Sequence, residues 1–340
     1  MNLLAAATRT FERTPLPDSL TRLVIRTLVS NGARRAAVSG DTTPEFARAM
    51  RANPIATDTT LANRQHYEVP AAFFELALGP QRKYSSCYYD SAASTLAEAE
   101  ERALEITAEN ADLVDGQQIL ELGCGWGSLT LWMARRYPAA RIVAVSNSAS
   151  QRAHIEGQAR HLGLDNVVVV TADMNTFEIA DRFDRVVSVE MFEHMANWEA
   201  LLRRVRSWLR EDGRAFLHVF AHVRTPYAFD VNDPTDWIAQ HFFTGGIMPS
   251  HGLIRQFPDL FDIEAEWRWN GQHYARTAEH WLANFDANTA RVRDVLKPVY
   301  GADTELWMRR WRLFFLATAG LFGHGNGETW GVSHYRLRPV

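Results

Sequence analysis

The spacing of apolar residues changes along the chain and predicts different kinds of element in different regions. Near the N-terminus, "LTRLVIRTLV" has apolar residues at helical spacing, and prolines interrupt the pattern around it, which predicts helices joined by proline turns. From about residue 96, short apolar runs alternate with amphipathic stretches, as in "QQILELG", "LTLWMARRY" and "RIVAVSN". This alternation predicts an α/β fold with a doubly wound, mostly parallel sheet.

The alternation fades after about Phe220. An aromatic, loop-rich stretch extends to about Gly271, and two helical segments and the strand-like "ETWGVSHYRL" follow it. We therefore expect residues 1–65 to form an N-terminal helical extension and residues 66–340 to form one α/β domain. An aromatic-rich cap is expected to be inserted into that domain at about 221–325.

Composition and charge exclude several classes of protein. The 340 residues are 46% hydrophobic and 22% charged, as in ordinary globular proteins. The formal net charge of −4 comes without a long block of one sign, so no nucleic-acid partner is expected. Two cysteines are too few for a disulfide framework and favour a cytoplasmic location. The longest apolar run, "LFFLATAGLF", is about half of the ~20 residues that a membrane span needs.

A glycine-rich turn marks a candidate cofactor site. "ILELGCGWGSLTLW" places Glu121 at the end of a predicted strand, followed by Gly123, Gly125 and Gly127 before a predicted helix. In an open α/β sheet, ligands bind beyond the carboxyl ends of the strands, where glycine lets the backbone approach them closely. The G-x-G-x-G spacing differs from the dinucleotide pattern, and the next strand, "RIVAVSN", ends without the acid that binds an NAD ribose. We expect a cofactor other than NAD; a turn that merely requires small residues is the alternative.

Six motifs together resemble a known family. They are "ELGCGWGSLTL", "NSASQ", "TADMNTF", "SVEMFEHM", "FFTGGIMPS" and "GETWGVSHY". The set is similar to that of the S-adenosylmethionine-dependent methyltransferases of the cyclopropane fatty acid synthase superfamily, and most similar to its coclaurine N-methyltransferase-like branch. The resemblance covers about residues 60–340. It implies a class I, Rossmann-like methyltransferase domain with S-adenosyl-L-methionine as its cofactor.

The resemblance also implies which residues bind that cofactor. The turn from Gly123 to Gly127 would hold its methionine part, and Asp173 would accept a hydrogen bond from the adenine amino group. Side chains from the ends of neighbouring segments would bind the carboxylate and the ribose. The remaining expected cofactor residues are Tyr84 and Ser85 for the carboxylate, Ser146, Gln151 and Glu121 around the ribose, and the adjacent Asn147 and Met174.

The acidic motif "SVEMFEHM" presents Glu190, Glu193 and His194 directly after the apolar run "FDRVVSV". Methyl transfer to nitrogen needs a neutral amine, and most alkylamines are protonated at pH 7. A carboxylate and an imidazole close together can take that proton and offset the positive charge of the product. The matching residues form the active-site group of the resembled N-methyltransferases, so we expect these three to be catalytic. Helix capping is one alternative, and a metal site is another, although the spacing is not that of a zinc motif and no metal is expected.

Other residues of the resemblance concern the substrate. His218, Tyr274 and Glu193 match residues that hold a bicarbonate in the cyclopropane synthases, where it accepts the proton lost after methyl transfer to an alkene. The cysteine of that group is replaced here by Ser86, which favours an amine over a lipid substrate. Trp330 matches a tryptophan that lies against the substrate in the N-methyltransferases, where an aromatic face can hold a cationic amine. His218, Tyr274 and Trp330 are therefore the expected substrate-binding residues.

The sequence thus predicts an S-adenosylmethionine-dependent N-methyltransferase that acts on a small, partly apolar amine. The alternative is cyclopropane-fatty-acyl-phospholipid synthase-type transfer of a methyl or methylene group to unsaturated acyl chains, which alone requires contact with a membrane. A non-catalytic, cofactor-binding regulator is a third hypothesis, and the intact acidic motif speaks against it. A homodimer is a candidate assembly.

Overall fold

Short apolar segments form the strands at the centre of the fold. The computed structural model describes residues 12–14, 16–57, 69–233 and 236–340. The strands are β1 (Gln118–Leu122), β2 (Arg141–Ser146), β3 (Val167–Thr171), β4 (Phe183–Val189), β5 (Leu209–His222), β6 (Tyr227–Ala228), β7 (Ile247–Met248), β8 (Phe261–Asn270) and β9 (Trp330–Pro339). Seven of them make one sheet in the order β3-β2-β1-β4-β5-β9-β8, while β6 and β7 pair separately.

Strands β1 to β5 run parallel, and β9 lies antiparallel between β5 and β8. The doubly wound, mostly parallel sheet expected from the alternating pattern is therefore confirmed. Successive side chains of a strand point to opposite faces, so Ile119 packs in one hydrophobic cluster and Leu120 in another. Both faces of the sheet are consequently covered by helices.

The helices occupy the N-terminal part of the described chain and segments between the strands. They are α1 (Asp18–Ser39), α2 (Thr43–Met50), α3 (Ala71–Ala77), α4 (Leu96–Asn110), α5 (Ser128–Arg136), α6 (Ala149–Leu162), α7 (Trp198–Trp208), α8 (Trp237–His241), α9 (Gly271–Ala287), α10 (Thr289–Tyr300) and α11 (Thr304–Phe322). Among the described residues, none of these helices has the length and apolarity that a membrane crossing requires.

The segment predicted as a cap contributes to the sheet as well as covering it. Strand β8 lies within that range and forms the edge of the main sheet by pairing with β9. Three helices rather than the two expected follow β8, because Asn288 separates α9 from α10 and Gly301, at φ +52°, ends α10. Helices α9 and α11 pack with α3 in an aromatic-rich cluster that includes Trp281 and Trp311.

Ion pairs hold the N-terminal helix α1 against the C-terminal helices. Asp18 at its start accepts two hydrogen bonds from Arg312 of α11, at 2.7 and 2.8 Å. Arg312 also pairs with Asp286 of α9 at 2.9 Å, and Arg22 pairs with Glu279 of the same helix. Helix α1, within the predicted N-terminal extension, therefore docks on the aromatic-rich half of the molecule.

Candidate active site

A cavity lies beyond the carboxyl ends of β1 to β4, where a ligand site is expected in an open α/β sheet. Most of the residues predicted from the motifs line it. They are Tyr84, Ser85, Glu121, Gly123, Gly125, Ser146, Asn147, Gln151, Asp173, Met174, Glu190, His194 and Tyr274. Gly127, Glu193, His218 and Trp330 lie outside the lining.

Glycine is needed at each of the three positions of the turn for a different structural reason. Gly125 has φ +52°, and a Cβ atom built on it would meet no atom within 4 Å, so it faces the open cavity. A Cβ on Gly127 would lie 2.7 Å from Ile155, which means that this glycine allows the turn to pack against α6. A Cβ on Gly123 would lie 2.5 Å from Met191. Of the three, only Gly125 combines a left-handed φ with open space beside the cavity.

Polar groups around the turn suit S-adenosylmethionine. Trp126 and Ser128 line the cavity, and the buried atoms Trp126 Nε1 and Ser128 Oγ have no hydrogen-bond partner among the described residues, so both donors are available to a ligand. Glu121 is buried and accepts a hydrogen bond from Thr130 Oγ1 at 2.5 Å. Burial raises the pKa of Glu121 to about 7. These groups fit the carboxylate and hydroxyls of the cofactor.

The far end of the cavity is shaped by β2, β3 and helix α6. Ser148 caps α6 by accepting the N–H of Gln151, and Ser146 Oγ donates to Gln151 Oε1 at 2.6 Å. Asp173, which follows β3, accepts the N–H of Asn175 through Oδ1 at 2.8 Å. The N-cap of α6 and the hydrogen bond after β3 thereby fix Gln151 and Asp173, which are predicted to bind the ribose and the adenine.

Two buried charged residues that the sequence analysis did not single out hold the loop that carries Tyr84 and Ser85. Lys83 Nζ donates to Ser85 Oγ and to the carbonyl of Ser86, both at 2.6 Å, and burial lowers its pKa. Glu100 of α4 accepts the N–H groups of Gly79, Gln81 and Lys83, and burial raises its pKa to about 7. The side chain of Lys83 also lines the cavity.

Glu190 directly follows β4 with φ +47°, a left-handed conformation that is uncommon for a residue with a side chain. Two donors reach its carboxylate, the Ser86 N–H at 2.9 Å and Tyr274 Oη at 2.7 Å, and His218 Nε2 lies within hydrogen-bond distance at 3.2 Å. Burial raises the pKa of Glu190, while Lys83 and the hydrogen bonds oppose that rise. The Glu190 N–H in turn donates to the carbonyl of His218 at 2.8 Å.

Glu193 and His194 belong to one short 3-10 helix but face different surroundings. Glu193 is fully buried and accepts the Phe220 N–H at 2.6 Å. Burial and the neighbouring Glu190 raise its pKa well above the usual value. His194 lines the cavity and stacks on Phe243 with ring centroids 4.7 Å apart. Glu190 and His194 are therefore the predicted catalytic side chains that border the cavity.

The predicted substrate residues are distributed differently. Tyr274 lines the cavity, whereas His218 is fully buried and reaches the site through Glu190. Trp330 is buried beside His222, with ring centroids 5.3 Å apart, and is not part of the lining. Trp330 therefore forms no part of the cavity wall, where its contact with the substrate is expected.

Comparison with known proteins agrees with this architecture. The model of the mycolic acid cyclopropane synthetase family matches residues 56–331. The chain is 38% identical over 290 residues to (S)-coclaurine N-methyltransferase of Thalictrum flavum subsp. glaucum, covering 84% of this chain and 80% of that protein. It is 30% identical over 275 residues to the cyclopropane-fatty-acyl-phospholipid synthase of Escherichia coli (strain K12), covering 80% of this chain and 67% of that protein.

A solved structure is also very similar. The crystal structure of coclaurine N-methyltransferase bound to N-methylheliamine and SAH superimposes with a TM-score of 0.90 at 33% identity, covering 95% of this chain and 96% of that one. The cyclopropane synthase MmaA2 of Mycobacterium tuberculosis shares the fold at a TM-score of 0.69 and 22% identity, covering 85% of this chain and 100% of that one. On this evidence the chain belongs to the mycolic acid cyclopropane synthetase family and is an S-adenosylmethionine-dependent methyltransferase.

Proposed function

We propose that this enzyme transfers the methyl group of S-adenosylmethionine to the nitrogen of a small, partly apolar amine. The observation that carries the proposal is the placement of the Glu190 carboxylate. Two of the side chains expected to hold a bicarbonate in a cyclopropane synthase, His218 and Tyr274, bind this carboxylate instead, together with the Ser86 N–H. An internal carboxylate thus takes the donors that an alkene-methylating site would use for a bicarbonate.

The chemistry of an amine suits this arrangement. When bound, S-adenosylmethionine supplies an electrophilic methyl group that an amine attacks through its lone pair. His194 takes the proton from the amine, and the negative charge of Glu190 stabilises the positive charge that remains on nitrogen after transfer. The buried carboxyl of Glu193 supports the position of β5 through Phe220 rather than acting on the amine.

The walls of the cavity support a partly apolar substrate. Phe220, Phe243 and Phe314 line it together with Met191 and Met195. An aromatic face can hold a cationic or partly cationic amine with about 0.5–2 kcal/mol. Two relatives are named (S)-coclaurine N-methyltransferase and pavine N-methyltransferase, and these names support an amine as the substrate.

The organisation of the chain forms part of the same proposal. An N-terminal extension at residues 1–65 precedes a methyltransferase domain at 66–340, with the cap inserted at about 221–325. We propose a cytoplasmic enzyme that binds its amine without a membrane or nucleic acid and that assembles as a homodimer. The buried state of both cysteines agrees with a reducing location.

A screen with radiolabelled S-adenosylmethionine tests the proposal. Cyclic and aryl amines are compared with vesicles of unsaturated phospholipid, each with and without bicarbonate depletion. We expect methylated amine, no cyclopropane or methyl-branched lipid by mass spectrometry, and no effect of bicarbonate on the amine reaction. Lipid product that increases with added bicarbonate would overturn the proposal in favour of the synthase activity.

A further inference from the structure

A chain of hydrogen bonds leads away from Glu190 through two buried histidines. His218 Nε2 meets Glu190 Oε1 at 3.2 Å, and His218 Nδ1 meets His334 Nε2 at 2.9 Å. His334 Nδ1 meets Asn110 Nδ2 at 3.0 Å. Both histidines have no exposed surface, and Asn110, the last residue of α4, is 9% exposed. This series of hydrogen bonds therefore connects Glu190 at the cavity with Asn110 at the C-terminal end of α4.

The chemistry of the terminal amide sets the direction of every hydrogen bond. An amide nitrogen is only a donor, so Nδ1 of His334 must be the acceptor and its single proton must lie on Nε2. That Nε2–H donates to Nδ1 of His218, which leaves the proton of His218 on Nε2, facing Glu190. With the Asn110 amide nitrogen turned towards His334, as it is in this structure, each step has one solution as long as both rings are neutral.

Both rings are held neutral by their surroundings. Burial lowers the pKa of His218 and of His334 well below the usual value, and Lys83 lowers it further. The indole of Trp269 on β8 closes one side, with its ring centroid 5.2 Å from His218 and 4.4 Å from His334. Five titratable or charged side chains of neighbouring elements face this series of hydrogen bonds. They are Lys83, Cys87, Glu193, Tyr274 and Arg336.

We infer that His334 and Asn110 are positioning residues that fix the tautomer of His218, so that its Nε2–H always donates to the Glu190 carboxylate. A donor at this point stabilises the ionised carboxylate, whereas a bare nitrogen would repel it. The role rests on the proposed function, because an ionised Glu190 is what an amine site needs. Neither residue touches the cavity, so both act through His218.

Histidine NMR tests the tautomers without any substrate. The full-length, cofactor-free protein is labelled with ¹⁵N at histidine, and the His218→Gln and His334→Gln variants assign the two rings. We expect both rings to carry one proton, on Nε2, at pH 7. A proton on Nδ1 of either ring, or two protons on either ring, would overturn the inference.

A matched pair of variants tests the consequence for turnover. In His334→Gln the amide nitrogen reaches about as far as the lost Nε2 and still donates to His218, whereas His334→Leu has a similar size and no donor. We expect the acid limb of kcat, measured with saturating amine, to move to higher pH by roughly half to one pH unit in His334→Leu and to stay in place in His334→Gln. Asn110→Leu should move it in the same direction by less.

His222→Leu serves as the control for general destabilisation. His222 is a buried histidine on the same strand as His218, and its Nδ1 accepts the N–H groups of Arg224 and Thr225. This variant should lower the melting temperature without moving the acid limb. Equal shifts in His334→Gln and His334→Leu, or no shift in either, would overturn the positioning role. A wild-type enzyme that methylates no amine would refute the proposed function, and the NMR result would then decide the inference alone.

Discussion

Removal of the Glu190 side chain should convert an internal anion into a binding site for an added one. In Glu190→Gly, the Ser86 N–H, His218 Nε2–H and Tyr274 O–H lose their common acceptor. Glycine is the replacement of choice because the backbone has φ +47° here, where glycine is not strained. The backbone should therefore keep its course while the three buried donors are left without an acceptor.

The magnitude follows from the donors that are lost. A buried donor without a partner costs about 1–3 kcal/mol, so three of them can remove several kcal/mol from a stability of about 5–15 kcal/mol. Turnover should fall by about 10²- to 10⁴-fold, the usual contribution of acid–base and electrostatic help. A small carboxylate present at 100 times its Kd would return about 2.7 kcal/mol to the folded state.

The assay combines thermal unfolding with methyl transfer to the best amine, in formate and in chloride at equal ionic strength. Formate should raise the melting temperature and restore part of the turnover of Glu190→Gly. Glu190→Gln, whose amide fills the same space, is the matched control and should gain nothing from formate. If formate acts equally on both variants, or on neither while both remain folded, the three donors do not form an anion site and the reasoning is refuted.

Three further predictions address the cofactor site and the base. Gly125→Val should abolish binding of S-adenosylmethionine in calorimetry, because its side chain would enter the cavity from a backbone with φ +52°; unchanged affinity would remove the turn from the site. His194→Ala should lower turnover by about 10²- to 10⁴-fold, less at high pH, where the amine is already deprotonated; a loss independent of pH would indicate positioning instead. Because burial raises the pKa of Glu121 to about 7, the folded state binds a proton that the unfolded state has released, and stability should fall by about 3 kcal/mol as pH rises from ~4.5 to 7. Glu121→Gln should make that part of the curve of melting temperature against pH less steep, while Glu100 keeps its own contribution, and an unchanged slope would contradict the assignment.

The sequence predicts those parts of the site that depend on local order. The turn at Gly125 follows β1, the loop at Asp173 follows β3, and the predicted ribose residues begin at the end of β2. The parallel order of these strands alone brings all three segments to one edge of the sheet. The link between Asn110 and His334 joins residues 224 positions apart, and no spacing in the sequence signals it. Such contacts depend on how β9 inserts beside β5, which is a property of the whole sheet.

Pairing between distant strands also explains why the structure differs from the prediction around the cap. Residues Phe261 to Asn270 were expected in a loop-rich stretch because their pairing partner, β9, lies some 70 residues later in the chain. Trp330 was expected against the substrate, yet it faces His222 because the two residues are partners in the register of β5 and β9. Patterns within a segment do not specify which distant segment it meets.

Strand β5 holds both glutamates of the acidic motif, through the carbonyl of His218 and the N–H of Phe220. Other walls of the cavity come from elsewhere: Phe243 and Thr244 follow α8, and Phe314 belongs to α11. The residues that hold the reacting groups are thus separate from other residues that shape the cavity, which is useful for directed evolution. Libraries built at Thr244 and Phe314 can change which amine fits while the reacting groups stay in place. Mutations in β5, or at Phe243, which stacks on His194, would weaken activity on every amine at once.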